Sequence, residues 1–266
     1  MTAEGPWLPS PALSLPAGER RLRLLSFNIQ VGLRTRGYGD YLSQAWKHAL
    51  PSRGRRRTLD QMAELLSDYD FVALQEADAG SVRSGFVDQV RYLAQRAGFP
   101  YHGVTVTRDL RPVAQHCMGY LSRLPAARSS EYLLPSRIPG RRALKLELGP
   151  EAAGLTLLLA HLSLGRGDQH RQLDFLGGLV PDSTPTVLLG DLNCDAERLR
   201  AHPGLGRSGL LLPEQSPLTF PSWRPARGID HILVTPQVRL HRIEALSHAI
   251  SDHLPLSAEI VLSLPG

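Results

Sequence analysis

The run Val187-Leu-Leu-Gly-Asp-Leu-Asn193 ends a buried-looking stretch with a carboxylate and an amide two residues apart. Side chains two apart in an extended chain share a side, so Asp191 and Asn193 emerge together. A carboxylate beside an amide suits a hydrated divalent cation and a phosphate group. The competing role for Asp191 is to cap a short helix around residues 195–199, since Asp is an ordinary N-cap residue. Gly190 lets the backbone turn tightly or approach a ligand closely.

Other apolar runs end the same way. They are Ser26-Phe-Asn28, Leu74-Gln-Glu76, Ala160-His-Leu162 and Gly228-Ile-Asp-His231, and the cluster Ser251-Asp-His-Leu-Pro255 precedes the last apolar run. One polar strand end is routine; this ordered set is not. From about Arg23 to Leu262 the chain resembles a bacterial-type member of the endonuclease/exonuclease/phosphatase superfamily of metal-dependent phosphoesterases.

The resemblance implies a DNase I-like fold, a four-layer α/β sandwich with two mixed β-sheets face to face and helices outside. It also implies roles. Glu76 is the direct ligand for magnesium or manganese, hard cations that take few protein carboxylates and keep several waters. Asp252 is a second metal-side carboxylate, and Asn28 either ligates through its oxygen or orients a neighbouring carboxylate. Gln30 falls where a further polar contact to the metal region is common. Asp191 orients or deprotonates the attacking water and Asn193 fixes the phosphate. His161 and His253 meet developing charge, and Asp230 orients His253 and raises its basicity. Met118 departs from the pattern, because it stands where many members carry a polar residue; His116 replaces that contact, or the substrate is held differently. Trp223 offers a stacking face and Arg227 a phosphate partner, although a Trp over a loop more commonly packs.

The supporting elements follow from periodicity. Strands are expected at 22–28, 71–76, 115–123, 131–134, 143–148, 155–162, 186–189 and 229–234. Helices are expected at 59–66, at 83–97 with Phe86, Val90, Leu93 and Ala94 on one face, and at 169–179. Between Asn28 and Glu76, residues Tyr38, Tyr41, Leu42, Ala45, Trp46 and Ala49 recur at helical spacing, giving a helical insert at about 34–52. This insert is either packed on the body or a lid. The basic segment 52–57 reads as a solvated turn, 201–215 as loop, and 1–20 as a poorly ordered arm before a single domain over 21–266.

Composition narrows the class further. The 266 residues carry a net charge of +5, almost all of the cations being Arg. This mildly favours anionic substrates. Two distant cysteines, Cys117 and Cys194, give no disulfide framework and no metal-type spacing. No signal pattern and no apolar run near the 20 residues of a membrane span are present, so a cytoplasmic monomer without membrane insertion is expected. The expected activity is hydrolysis of a phosphodiester in nucleic acid, as an endonuclease or exonuclease. The alternatives are a small or lipid phosphoester and, further off, a non-catalytic binding module on the same scaffold. A nucleic-acid track would draw on Arg53, Arg55, Arg56, Arg57, Arg224 and Arg227.

Overall fold

Alternation decides how the strands are used. In β1 (Glu19–Asn28) Leu22 and Leu24 enter one buried cluster, while Leu25 and Phe27 enter another. A strand apolar on both sides needs a layer on each side. The computed structural model, which describes residues 18–32 and 53–264, supplies those layers.

The larger sheet has the order β10-β11-β1-β2-β4-β3, with β2 at Phe71–Asp78, β3 at Tyr101–Leu110, β4 at Ala114–Ser122, β10 at Val238–Ala245 and β11 at Leu256–Ser263. The smaller sheet runs β5-β6-β7-β8-β9, with β5 at Ala126–Leu133, β6 at Arg142–Leu148, β7 at Thr156–His161, β8 at Thr186–Asp191 and β9 at Asp230–Val234. Both are mixed: β1–β2 and β7–β8 pair in parallel and the other neighbours antiparallel. The central core lies between the sheets, with Leu24, Met118, Leu157, Leu159, Val187, Leu189, Ile232 and Ile260. Helices α1 (Arg53–Leu66) and α2 (Gln89–Ala97) cover the outer face of the larger sheet. Helices α3 (Arg166–Gly177), α4 (Ala196–Arg200) and α5 (Pro203–Ser208) cover the smaller one. The result is the expected four-layer α/β sandwich.

Several local expectations are corrected. Helix α1 begins at Arg53, so the basic segment is helical rather than a turn, and Arg55 is buried. Helix α2 begins only at Gln89, because Asp88 caps it by accepting from the Arg91 N–H. Phe86, expected on its buried face, has φ +61° and is 73% exposed. A short helix, α5, occupies part of the segment expected as loop. Asp195, not Asp191, sits at the N-cap of α4. Glu19 and Arg20 already belong to β1; the rest of the expected arm, and the insert at 34–52, lie outside the described residues.

Candidate active site

Parity along the strands aims the chemistry inward. In β8, Val187, Leu189 and Asp191 share the inner face; in β7, Leu157, Leu159 and His161 do; in β9, Asp230 leads Ile232 and Val234. Cross-strand register then sets His161 beside Asp191 and Asp191 beside Asp230. Gly190, between these rows, has φ +148°, and a Cβ there would lie 1.9 Å from the Ala160 carbonyl oxygen. The glycine is needed for the close approach of β7 and β8, not for a ligand. From the facing sheet, Asn28 continues the inner row of Leu22, Leu24 and Ser26.

Glu76 reaches the site by breaking parity. Phe71 and Ala73 face inward and Val72 and Leu74 outward, so an unbroken strand would turn Glu76 outward. The β2–β4 register shifts between Leu74 and Ala77, and Glu76 has φ +54°. A bulge of this kind re-aims one side chain. Glu76 Oε1 ends 3.9 Å from His161 Nε2, with the side chain 40% exposed.

Asp191 is the focus. Its Oδ2 accepts from Asn28 Nδ2 at 3.1 Å and lies 3.5 Å from His161 Nε2 and 3.9 Å from His253 Nε2. Its Oδ1 accepts from the Asn193 backbone N–H at 3.0 Å. Asn28 Oδ1 in turn accepts from the Gln30 N–H at 3.1 Å, so Asn28 acts here as an orienting group. Gln30 itself is buried and makes this contact with its backbone. Asn193 has φ +52°, and its Nδ2 donates to the Leu162 carbonyl at 3.0 Å.

His253 and Asp230 form a tight pair, Nδ1 to Oδ2 at 2.8 Å. Thr219 Oγ1 donates to the same oxygen at 2.5 Å, and the Phe220 ring lies 5.0 Å from the His253 ring. Behind them, the Ser222 N–H donates to the Asp252 carbonyl, and the Ser251 hydroxyl donates to the Asn28 carbonyl at 2.7 Å. Within 219–227, Thr219, Phe220 and Ser222 thus hold the Asp230–His253 pair and the segment that carries it.

Protonation follows from burial and neighbours. Burial pushes Asp191 up to about 7, helped by Asp230 and opposed by His253 and the Asn28 hydrogen bond. Burial likewise raises Asp252 to about 6, with Glu76 adding to it. Burial works against the His253 imidazolium, but Asp230, Asp191 and Asp252 outweigh it and raise His253 to about 10. Burial, with Arg141 and His253 nearby, keeps His161 neutral. Glu76 and Asp191 are hard oxygen donors that suit a small divalent cation, whereas Asp252, near enough for Glu76 to raise its carboxyl, belongs to none of the groups of ligand atoms within 4.8 Å of one another among the described residues.

Glu76 with His161 and Asp191, and Asp191 with Asp230 and His253, each place possible ligand atoms within 4.8 Å of one another. A third such group, His170, Asp174 and His202, lies on α3 and at the N-cap of α5, on the outer face of the smaller sheet.

The other expected contacts are more scattered. Met118 is 1% exposed in the central core. His116 lies one inward step closer to the sheet edge and meets Arg83 Nη1 at 3.2 Å; Arg83 is anchored by Asp78. Both Met118 and His116 line a cavity of about 560 Å³ that also includes Glu76 and His161. Arg227 is 3.6 Å from Asp195 on the surface, a pair worth about 1 kcal/mol or less and easily exchanged for a ligand. Trp223 is half-buried and Arg224 exposed. A larger cavity of about 760 Å³, near α3 and α5, is lined by none of the catalytic candidates. Sequence reading missed Arg141, half-buried in the wall of the 560 Å³ cavity and attracted by Glu76 and Asp191. It also missed Thr219 and Ser251. An arginine in a loop, or a hydroxyl that acts through another residue, leaves no periodic signal. The cysteines are free and buried, and burial pushes the Cys194 thiol up to about 12, so neither is a nucleophile.

Solved structures share this architecture. An endonuclease/exonuclease/phosphatase family protein from Bacteroides thetaiotaomicron aligns with TM-score 0.70 at 16% identity, over 92% of this chain and 99% of its own. One from Beutenbergia cavernae aligns with TM-score 0.67 at 21% identity, over 92% and 72%. A mannosyl-6-phosphatase from Bacteroides thetaiotaomicron aligns with TM-score 0.65 at 16% identity, over 90% and 99%. No curated protein matches the sequence. The sequence pattern of one family spans residues 25–253, from the first inward strand to the histidine paired with Asp230: this chain belongs to the endonuclease/exonuclease/phosphatase family.

Proposed function

We propose that this protein hydrolyses a phosphoester by direct attack of water, with magnesium or manganese as its cofactor. The observation that carries the reading is the convergence of Asn28, His161 and His253 on one buried oxygen of Asp191. Glu76 and Asp252 would hold the cation, which when bound polarises a phosphoryl oxygen and offsets charge on the leaving oxygen. Asp191, its basicity raised by burial, orients a water and accepts its proton. His253, kept as an imidazolium by Asp230, donates through Nε2 to oxygens that gain charge in the transition state. Neutral His161 donates through its own Nε2. The Asn193 amide uses one N–H on Leu162 and has a second for a phosphate oxygen. No side-chain nucleophile is required.

Two substrate classes fit this chemistry, a polynucleotide and a compact phosphoester. The compact class is favoured by the 560 Å³ cavity beside the carboxylates, a volume within the range of small-ligand pockets. Of the arginines that would track a polynucleotide, Arg55 is buried and Arg227 is paired with Asp195. One protein of this fold is itself a phosphosugar phosphatase by name. The test is purified protein with magnesium or manganese on DNA, RNA and a panel of small phosphoesters, with and without chelator. Turnover on a compact phosphoester that disappears in chelator and in Asp191→Asn is expected. Full turnover in chelator would overturn the reading.

A further inference from the structure

Arg108, Arg137 and Arg141 line the cavity onto which Glu76 and His161 also face. Among the described residues, none of these guanidiniums makes a hydrogen bond or an ion pair. Elsewhere on the surface Arg96, Arg111, Arg171 and Arg239 each lie within 4.0 Å of a carboxylate. Arginine does not shed its proton; Glu76 and Asp191 act on Arg141, and Asp168 in the lining is paired with Arg171, so the charges of Arg108 and Arg137 create a field in the concavity that an anion relieves.

The three are not equivalent. Arg141 feels Glu76 and Asp191 and so belongs to the reacting end. Arg108 is on the β3 side, next to His116, whose basicity it helps depress. Arg137 comes from the loop between β5 and β6, where its backbone N–H donates to Asp168. Ile138 and Leu164, 72% and 79% exposed, add apolar side chains to the same lining. The lining therefore combines Glu76 and His161 with apolar side chains and, from β3 and the β5–β6 loop, two further cations. That combination suits a compact ligand that carries a phosphoester and a second anion.

We propose that Arg108 and Arg137 form a subsite for a second phosphate of the substrate, so that the preferred ligand is a compact phosphoester with two phosphates, of the size of a nucleoside bisphosphate. The proposal rests on the phosphoesterase reading for the identity of the first phosphate. The planar, forked guanidinium is well suited to phosphate oxygens. A second phosphate could also come from the adjoining nucleotide of a strand, but the buried Arg55 and the Arg227–Asp195 pair favour the free compact molecule.

The experiment is calorimetric binding to the Asp191→Asn protein in magnesium, which holds turnover down. The probes are adenosine 3′,5′-bisphosphate, adenosine 5′-monophosphate and a ten-residue oligonucleotide. The bisphosphate should bind at least tenfold more tightly than the monophosphate. Adding Arg108→Ala and Arg137→Ala, both exposed positions, should erase that preference while the monophosphate affinity and the melting temperature stay put. Equal affinities for the two mononucleotides, or a preference that survives the double substitution, would overturn the subsite. So would an oligonucleotide that binds tightest and loses its advantage in the same double variant, because the arginines would then serve a polynucleotide. The outcome is separable from the phosphoesterase reading. A chain that shows the preference but turns over nothing fails only that reading, and one that hydrolyses phosphoesters without the preference fails only the subsite.

Discussion

In the proposed reaction Asp191 and His253 have opposite tasks, and both are pushed in the same direction, upward, by different causes. The Asp191 carboxyl is raised to about 7 by burial, so its base form appears only as pH rises through that region. The His253 imidazolium, held by Asp230, persists until about 10. A pH–rate profile should therefore climb toward neutrality and fall only in the alkaline range. A bound cation next to Asp191 shifts the climbing limb lower. In Asp230→Asn the falling limb should move toward neutrality, because the carboxylate that raises His253 is gone; an unmoved limb would remove Asp230 from this role. Glu76→Gln, Asp191→Asn and His253→Ala should each lower turnover by about a hundredfold or more, the scale of lost acid–base or charge-stabilising groups. For Asp230→Asn with His253→Ala, the combined loss should be well short of the product of the single effects, since the two act as one pair. Multiplicative losses in a double-mutant cycle would mean that they work independently.

Two departures from regular strand geometry build the site: the bulge at Glu76 and the close approach at Gly190. Gly190→Ala puts a methyl group against the Ala160 carbonyl oxygen at a φ of +148°. Overpacking commonly costs about 1–3 kcal/mol, and the positive φ adds to it. A lower melting temperature and a larger fall in turnover are expected, because the displaced β7–β8 pair carries both His161 and Asp191. Wild-type activity in a destabilised Gly190→Ala protein would show that the row does not need this spacing. At the same scale, Met118 is explained by its neighbours. It lies on the inner face of β4 within the central core, and the polar position of that strand moves one inward step along, to His116.

Across the whole molecule, carboxylates from both sheets meet at one edge, and that crowding is a stability cost in the metal-free protein. Asp191 and Asp252 bind protons more readily folded than unfolded. Their contribution to stability is thus fullest below the usual carboxylate value near 4 and is lost as pH rises through about 6 to 7. A divalent cation supplies the missing charge where protons leave. Magnesium or manganese at about a hundred times its dissociation constant should stabilise the fold by about 2.7 kcal/mol. In a thermal melt that is a rise of several degrees, larger at pH 7.5 than at pH 5, and absent from a Glu76→Gln, Asp252→Asn protein. An equal rise in that variant would place the cation elsewhere. If a polynucleotide were the substrate, its affinity would fall steeply with salt, by a log–log slope of about −0.7 to −0.9 per phosphate contact. A compact ligand should give a shallow slope. No helix among the described residues is long and apolar enough to cross a membrane.

Strand ends were what the sequence could specify. A strand buried on both faces reads as an unbroken apolar run, and the polar group that stops it is conspicuous, which is how Asn28, Glu76, His161 and Asp191 stood out; Asp230 opens β9 and His253 precedes β11, and these two were read from the resemblance. The edge strands β3 and β10 were not legible. Each pairs on one side only and exposes much of its length, so neither needs an apolar run. Helix starts were also misplaced. The basic residues of 53–57 look like a solvated turn, but Arg55 lies buried in the first turn of α1. What the chain by itself determined is the set of polar groups at one edge of the sandwich and most of the strands that deliver them. Tertiary structure alone decided that Glu76 turns inward, because a bulge depends on the pairing of β2 with β4. Only the folded chain brings Arg108, Arg137 and Arg141 to one cavity with those groups, because they sit in different strands and loops and share no spacing a linear pattern can record.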